Sequence, residues 1–94
     1  MAAETAAMDP CELLPIVEGL IFAAEAPLSA DQIAEIVEVE RNLVHGLLND
    51  LRRKYEAAKG GIELSEVAGG FQFRTRPDLS FWIRRLQKRK TFRL

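Results

Sequence analysis

The sequence predicts an α+β domain, mostly α, of the winged-helix class: a helix-turn-helix plus one β-hairpin wing and a C-terminal helix. The hairpin is the first observation behind this. Ile62 and Leu64 alternate with polar residues, Phe71, Phe73 and Thr75 alternate with Gln72 and Arg74, and Gly69-Gly70 stands between the two runs. Alternation puts each apolar set on one face of a two-stranded ribbon, and a glycine pair supplies the positive φ angles of a two-residue hairpin turn. The second observation is that the segments ahead of the hairpin carry apolar residues at three- and four-residue steps, the signature of helices with one buried side. The third is the short connection between two of those helices, which makes them a helix-turn-helix. Because an isolated hairpin is marginal in water, Ile62, Leu64, Phe71 and Phe73 are expected to press on the helices.

Taken in order, the first helix is expected over residues 12–24, with Leu13, Leu14, Val17, Leu20, Ile21 and Ala24 along one side. Asp9-Pro10 has the chemistry of an N-cap and first helical residue, but a start there leaves Pro15 inside the helix, where it removes a hydrogen bond. Pro15 is therefore assigned to the first turn. Pro27 ends the helix, and Ser29-Ala30-Asp31-Gln32 is an S-x-x-Q capping box that opens the second, with Ile33, Ile36 and Val37 as its buried side. That helix ends near Glu38. Val39-Glu40 connects it to a third helix over 41–59, whose stripe is Val44, Leu47, Leu48, Leu51 and Tyr55, with Arg41, His45, Arg52 and Glu56 toward solvent and Gly60-Gly61 as C-terminal punctuation. After the hairpin, Pro77-Asp78 sets up a fourth helix to about Leu86, in which Leu79, Trp82, Ile83 and Leu86 are spaced to pack inward.

Composition bounds the organisation. The 94 residues suit one domain, divided into an N-terminal extension over 1–11, expected to be disordered, a winged helix over 12–87, and a basic tail over 88–94 expected to begin a linker to a second winged helix. A domain this small is marginally stable alone, so a partner or a second copy is a natural support. No apolar run approaches the roughly 20 residues of a membrane span, and the first residues lack the basic start and apolar centre of a signal peptide. A cytoplasmic location without membrane contact is expected. The net charge of −1 conceals a division: residues 1–66 hold 5 Lys/Arg against 13 Asp/Glu, and residues 67–94 hold 8 against 1. Such asymmetry marks either a charged interaction surface or a solvated face neutralised by the folded domain.

No reactive constellation is present. Cys11 has no second cysteine to pair with and no histidine cluster for zinc. His45, the one histidine, stands mid-helix without a motif. There is no phosphate-binding glycine loop, metal-binding H-E-x-x-H or nucleophile elbow. The expectation is a protein without catalytic activity, cofactor or metal. A helix-turn-helix with a wing raises DNA binding, yet fold alone does not decide function. Glu38 and Glu40 flank the start of the third helix, where phosphates would lie, and the wing tip Ala68-Gly69-Gly70 has no cation. The basic residues Arg84, Arg85, Lys88, Arg89, Lys90 and Arg93 suit weak, sequence-independent electrostatic contacts, with DNA among them. A candidate dimer or partner surface comprises Pro15, Gly19 and Phe22, which share the side of the first helix opposite its stripe, and Phe81, off the stripe of the fourth. An exposed aromatic beside small residues is either a contact surface or a lone surface aromatic.

The run from Val17-Glu18-Gly19-Leu20-Ile21-Phe22-Ala23-Ala24 to Pro27-Leu28-Ser29, then Gly61-Ile62-Glu63-Leu64 and Val67-Ala68-Gly69-Gly70-Phe71-Gln72-Phe73-Arg74-Thr75-Arg76-Pro77, resembles the N-terminal winged-helix domain of bacterial segregation and condensation protein B (ScpB). The likeness runs from Leu13 to Leu94. It departs from the family at Gly19, where Ala is usual, and at Ile21, where Leu is usual. The resemblance implies a non-catalytic scaffold subunit of the Smc–kleisin complex, acting in chromosome condensation and segregation by homodimerisation and by binding the kleisin ScpA, and through it the Smc ATPase, in association with the nucleoid. It also implies a second winged helix beyond Leu94. The alternative is a winged-helix DNA-binding transcription regulator.

Overall fold

Residues 9–89 are described by the computed structural model. Lys90 and Arg93, and most of the expected N-terminal extension, lie outside the described residues. Helix α1 spans Pro10–Ala23, two residues earlier than the sequence reading. Asp9 is its N-cap after all, and the Glu12 carboxylate accepts from the Asp9 N–H at 3.0 Å. Pro15 consequently stands inside the helix rather than in its first turn, and the Cys11 carbonyl loses its amide partner. That costs on the order of 3 kcal/mol. The Glu12 bond to the Asp9 N–H and the burial of Leu13, Val17 and Ile21 offset it, and Cys11 is exposed, so water can serve its carbonyl.

Helix α2 spans Ala30–Val37, opened by the predicted box: Gln32 N–H donates to Ser29 Oγ at 3.1 Å and Ser29 N–H to Gln32 Oε1 at 2.9 Å. Its buried residues are Ala30, Ile33 and Val37; Ile36, expected inside, is 54% exposed. At 100° per residue Ile36 lies about 60° from Ile33, far enough to leave the narrow contact that an eight-residue helix makes. Glu38 turns left-handed at φ 59°, and α3 runs Arg41–Ala58 with Val44, Leu47, Leu48 and Leu51 buried and Tyr55 half-buried. The left-handed residue at its end is Lys59, φ 52°, not a glycine.

Strands β1 (Ile62–Val67) and β2 (Gly70–Thr75) form the expected antiparallel hairpin, with Leu64 opposite Phe73 and Glu66 opposite Phe71. The turn pair is Ala68-Gly69, at φ 52° and 79°, rather than Gly69-Gly70. Gly70 has another reason to be glycine: a Cβ there would lie 2.9 Å from the backbone carbon of Pro27. That close approach lets Leu28 bridge to Phe71, with Phe71 N–H donating to Leu28 O at 2.7 Å and Leu28 N–H to Phe71 O at 3.0 Å. A one-residue third strand thus ties the α1–α2 connection to the wing.

One core joins α1, α2, α3 and the hairpin, and Leu64 and Phe71 are the hairpin's buried contributions. Phe73 packs half-buried against it, whereas Ile62 is exposed at the hairpin's open end. A short 3-10 turn, Pro77–Leu79, leads to α4, Ser80–Gln87. Helix α4 has no buried residue, and Trp82 and Leu86, expected inside, are 60% and 40% exposed. Its inward side holds only the half-buried Ile83, which faces the end of β2 with Ser80, Arg84 and Gln87.

Candidate interaction surfaces

The exposed side of α1 meets the open end of the hairpin in a groove of about 340 Å³, lined by Pro15, Glu18, Gly19, Phe22, Tyr55, Ile62 and Phe73. Its floor is fixed by aromatic packing and one hydrogen bond. The Tyr55 and Phe73 rings lie 4.9 Å apart at 53°, and the Tyr55 hydroxyl donates a hydrogen bond to Glu18, whose other oxygen lies 3.6 Å from Lys54 Nζ. That bond to a carboxylate, then partial burial and the carboxylate's charge, raises the Tyr55 pKa above its ordinary value. Phe22 stands at the rim with 78% of its surface exposed. A further hollow of about 250 Å³ lies between the end of α1 and the hairpin, bounded by Ile21, Phe22 and Ala24 on one side and Ile62 with Gln72 to Thr75 on the other.

Of the four surface residues named from sequence, the structure brings Pro15, Gly19 and Phe22 together and leaves Phe81 apart. Phe81 lines neither hollow; it meets Trp82 edge-on at 5.1 Å, with the Arg85 guanidinium 5.8 Å from its ring and 5.6 Å from that of Trp82. Sequence reasoning missed Glu18, Tyr55, Ile62 and Phe73 as groove residues. Tyr55 and Phe73 read as core, and only the tertiary docking of α1 on the hairpin turns their outer edges into a floor.

The basic residues also divide. Arg84 lines a cleft of about 390 Å³ with Arg74 and Arg76 from the hairpin's exit, while Arg85, Lys88 and Arg89 are exposed beyond it. Arg76 is committed to the fold, donating to Gly60 O at 3.1 Å and pairing with Asp78 at 3.5 Å. At the α2–α3 turn, Glu38 and Glu40 flank a shallow pocket over Val39 and Leu43, and Arg41 is paired to Asp31 at 3.2 Å. Among the described residues no group of three or more His, Cys, Asp or Glu is placed to hold a metal ion, and no helix is long and apolar enough to cross a membrane.

These features define a winged-helix domain with exposed apolar groups on α1, at the hairpin's open end and on α4, and with carboxylates where a DNA-reading winged helix would meet phosphates. The family model for segregation and condensation complex subunit ScpB matches residues 15–94, and the chain belongs to that family. Segregation and condensation protein B of Syntrophotalea carbinolica is 40% identical over 87 residues, covering 93% of this chain but 44% of that protein. Among solved structures, a dimer of the ScpB N-terminal domain complexed with ScpA peptide is 30% identical with a TM-score of 0.73, covering 80% of this chain and 94% of that one. ScpB from Mycobacterium tuberculosis shares the fold at a TM-score of 0.82 and 23% identity, over 89% of this chain and 52% of that one. The chain thus spans about half the length of the longer relatives it matches.

Proposed function

We propose that the domain is a non-catalytic scaffold module of an Smc–kleisin complex, acting in chromosome condensation and segregation. It forms a homodimer and binds the kleisin ScpA, and through ScpA it joins the Smc ATPase on the nucleoid, in the cytoplasm. The observation that carries this reading is the similarity, over most of both chains, to an ScpB N-terminal domain solved as a dimer with an ScpA peptide. The groove of Pro15, Gly19 and Phe22 is the proposed dimer surface, because an exposed aromatic over a fixed apolar floor is the composition of an interface anchor. Phe81 is proposed as a contact outside that groove.

Arg84, Arg85, Lys88, Arg89, Lys90 and Arg93 are proposed to attract anionic surfaces weakly, DNA included, without reading sequence. Sedimentation of the chain and calorimetric titration with an ScpA peptide from the same organism test the main reading. A monomer that ignores the peptide would overturn it. Titration with random and selected duplexes at physiological salt tests the regulator alternative: tight, sequence-dependent binding would establish it, and salt-sensitive, sequence-blind binding is expected.

A further inference from the structure

The hairpin leaves part of one strand edge open. In an antiparallel ladder successive residues point their N–H and C=O alternately toward the partner and away from it. Phe71 directs both groups away from β1, to Leu28, so Phe73 and Thr75 direct theirs to the same outer side. Leu28 covers only Phe71. Pro27, the residue before it, has no N–H to donate, and the chain there leads back to the end of α1. Among the described residues, Phe73 and Thr75 make no hydrogen bond outside the β1–β2 ladder. Four backbone groups therefore face outward over two strand positions, beside the hollow between Phe22, Ala24 and Ile62.

We propose that this edge of β2 takes an extended segment of a partner protein as an added strand, with apolar side chains opposite Phe73 and Thr75 and an acidic one between them. Main-chain pairing supplies affinity in such additions, and alternate side chains supply specificity. The apolar residues would enter the hollow beside Phe22. The residue between them falls on the other face, beside Arg74, which is exposed, forms no ion pair among the described residues, and shares its cleft with Arg84. Its cross-strand neighbour Glu63 is engaged by Ser65 Oγ at 3.1 Å. An acidic partner residue makes the favourable cross-strand charge pair.

The same geometry argues against a second copy as occupant. Two-fold pairing of the open β2 edges, Phe73 against Thr75 in each direction, sets Arg74 directly against Arg74. Like charges in that position are destabilising. A nucleic acid's phosphates could accept from the two outward N–H groups but would leave the two outward carbonyls and the apolar side chains of the hollow without matching groups.

The test titrates the isotope-labelled 94-residue chain with acetyl-Val-Glu-Val-Asp-Val-amide, and with the same peptide carrying lysine at both acidic positions, by amide NMR. Shifts are expected at Phe73 and Thr75 and along residues 21–24, stronger for the acidic peptide. Thr75→Pro removes an outward N–H that the ladder does not use, as edge strands tolerate, and should weaken binding about tenfold, the scale of one net hydrogen bond. Arg74→Glu should reverse the preference between the peptides. No shifts at millimolar peptide, shifts confined to α4, or equal binding of both peptides would overturn the proposal. Conversion of a dimer to a monomer by Thr75→Pro would overturn it too, by making a second copy the occupant. The proposed dimer groove shares Phe22, Ile62 and Phe73 with this hollow but does not include Arg74 or Thr75, so a dimer that persists while neither peptide shifts Thr75, in the chain diluted to monomer as well as in the dimer, counts against the strand edge and not against the scaffold reading.

Discussion

Phe22→Asp isolates the proposed dimer surface. Phe22 leaves 78% of its surface in water, so covering it in a dimer would remove on the order of 150 Å² per copy, and at about 25 cal/mol per Å² that is about 4 kcal/mol. A standard interface removes about 800 Å² per partner, so Phe22 would anchor the contact but not constitute it. Replacing it with a carboxylate forfeits that term and adds a desolvation cost in the bound state; the dissociation constant should rise more than about a hundredfold. The monomer should lose about 1 kcal/mol at most, because the new carboxylate would stand near the C-terminus of α1, one turn from Glu18, and both placements are unfavourable for an anion. Phe22→Lys reverses those helix terms while still removing the ring, so both variants should dissociate, and in melts run well below the wild-type dimer dissociation constant only the first should lose thermal stability. Sedimentation equilibrium with parallel circular-dichroism melts reads both. Unchanged dimers in both variants would remove Phe22 from the interface, and unfolding of both would show that it holds the fold.

Tyr55 is the one tyrosine of the chain, so its ionisation can be followed by ultraviolet absorbance. Its folded pKa lies above its unfolded value, so its contribution to stability should be complete below about pH 10, decline as the pH rises through the folded pKa, and shrink in Glu18→Ala, whose Tyr55 should titrate earlier. Gly70→Ala should cost about 1–3 kcal/mol in a urea melt, the range for overpacking, because the new methyl meets Pro27 backbone at 2.9 Å; no loss would mean that the α1–α2 connection moves freely. Ala68→Asn should raise stability by about 0.5–1 kcal/mol, since Asn suits the positive φ of this turn position better than Ala.

The parts of the fold legible in the sequence are those set by local pattern. The capping box at Ser29, the stripe of α3 and the two-strand alternation each follow from a period or a cap, and all three stand. Three readings fail where a local rule meets a tertiary one. Pro15 argues for a later start of α1, yet burial of Leu13, Val17 and Ile21 outweighs one missing bond. Gly69-Gly70 has the composition of the turn, but the second glycine serves a backbone approach from 43 residues earlier in the chain, at Pro27. Helix α4 carries an amphipathic pattern without a partner among the described residues to bury it, and a period announces which face is apolar, not what covers it. The α1 half of the dimer candidate is visible as an off-stripe cluster; its hairpin floor is not, because Phe73 and Tyr55 belong to core and groove at once.

Gly19 shows how the same face of α1 weighs stability against contact. Pro15, Gly19 and Phe22 lie at steps of four and three along one side, and the first two are poor helix residues, costing on the order of 3 and 1 kcal/mol relative to alanine. Nothing in the monomer offsets the cost at Gly19: it is exposed, and a Cβ there would meet no atom within 4 Å. A glycine in that position leaves room for a partner's backbone or side chain to come close from outside. Gly19→Ala should therefore stabilise the monomer by about 1 kcal/mol and, if a second copy packs across this face, weaken the dimer. The two effects have opposite signs, which a purely structural role would not produce. Melting measured well below the dimer dissociation constant, together with sedimentation above it, separates them. A stabilised monomer with unaltered dimerisation would place the contact elsewhere on the domain and leave the groove beside Phe22 without its proposed occupant.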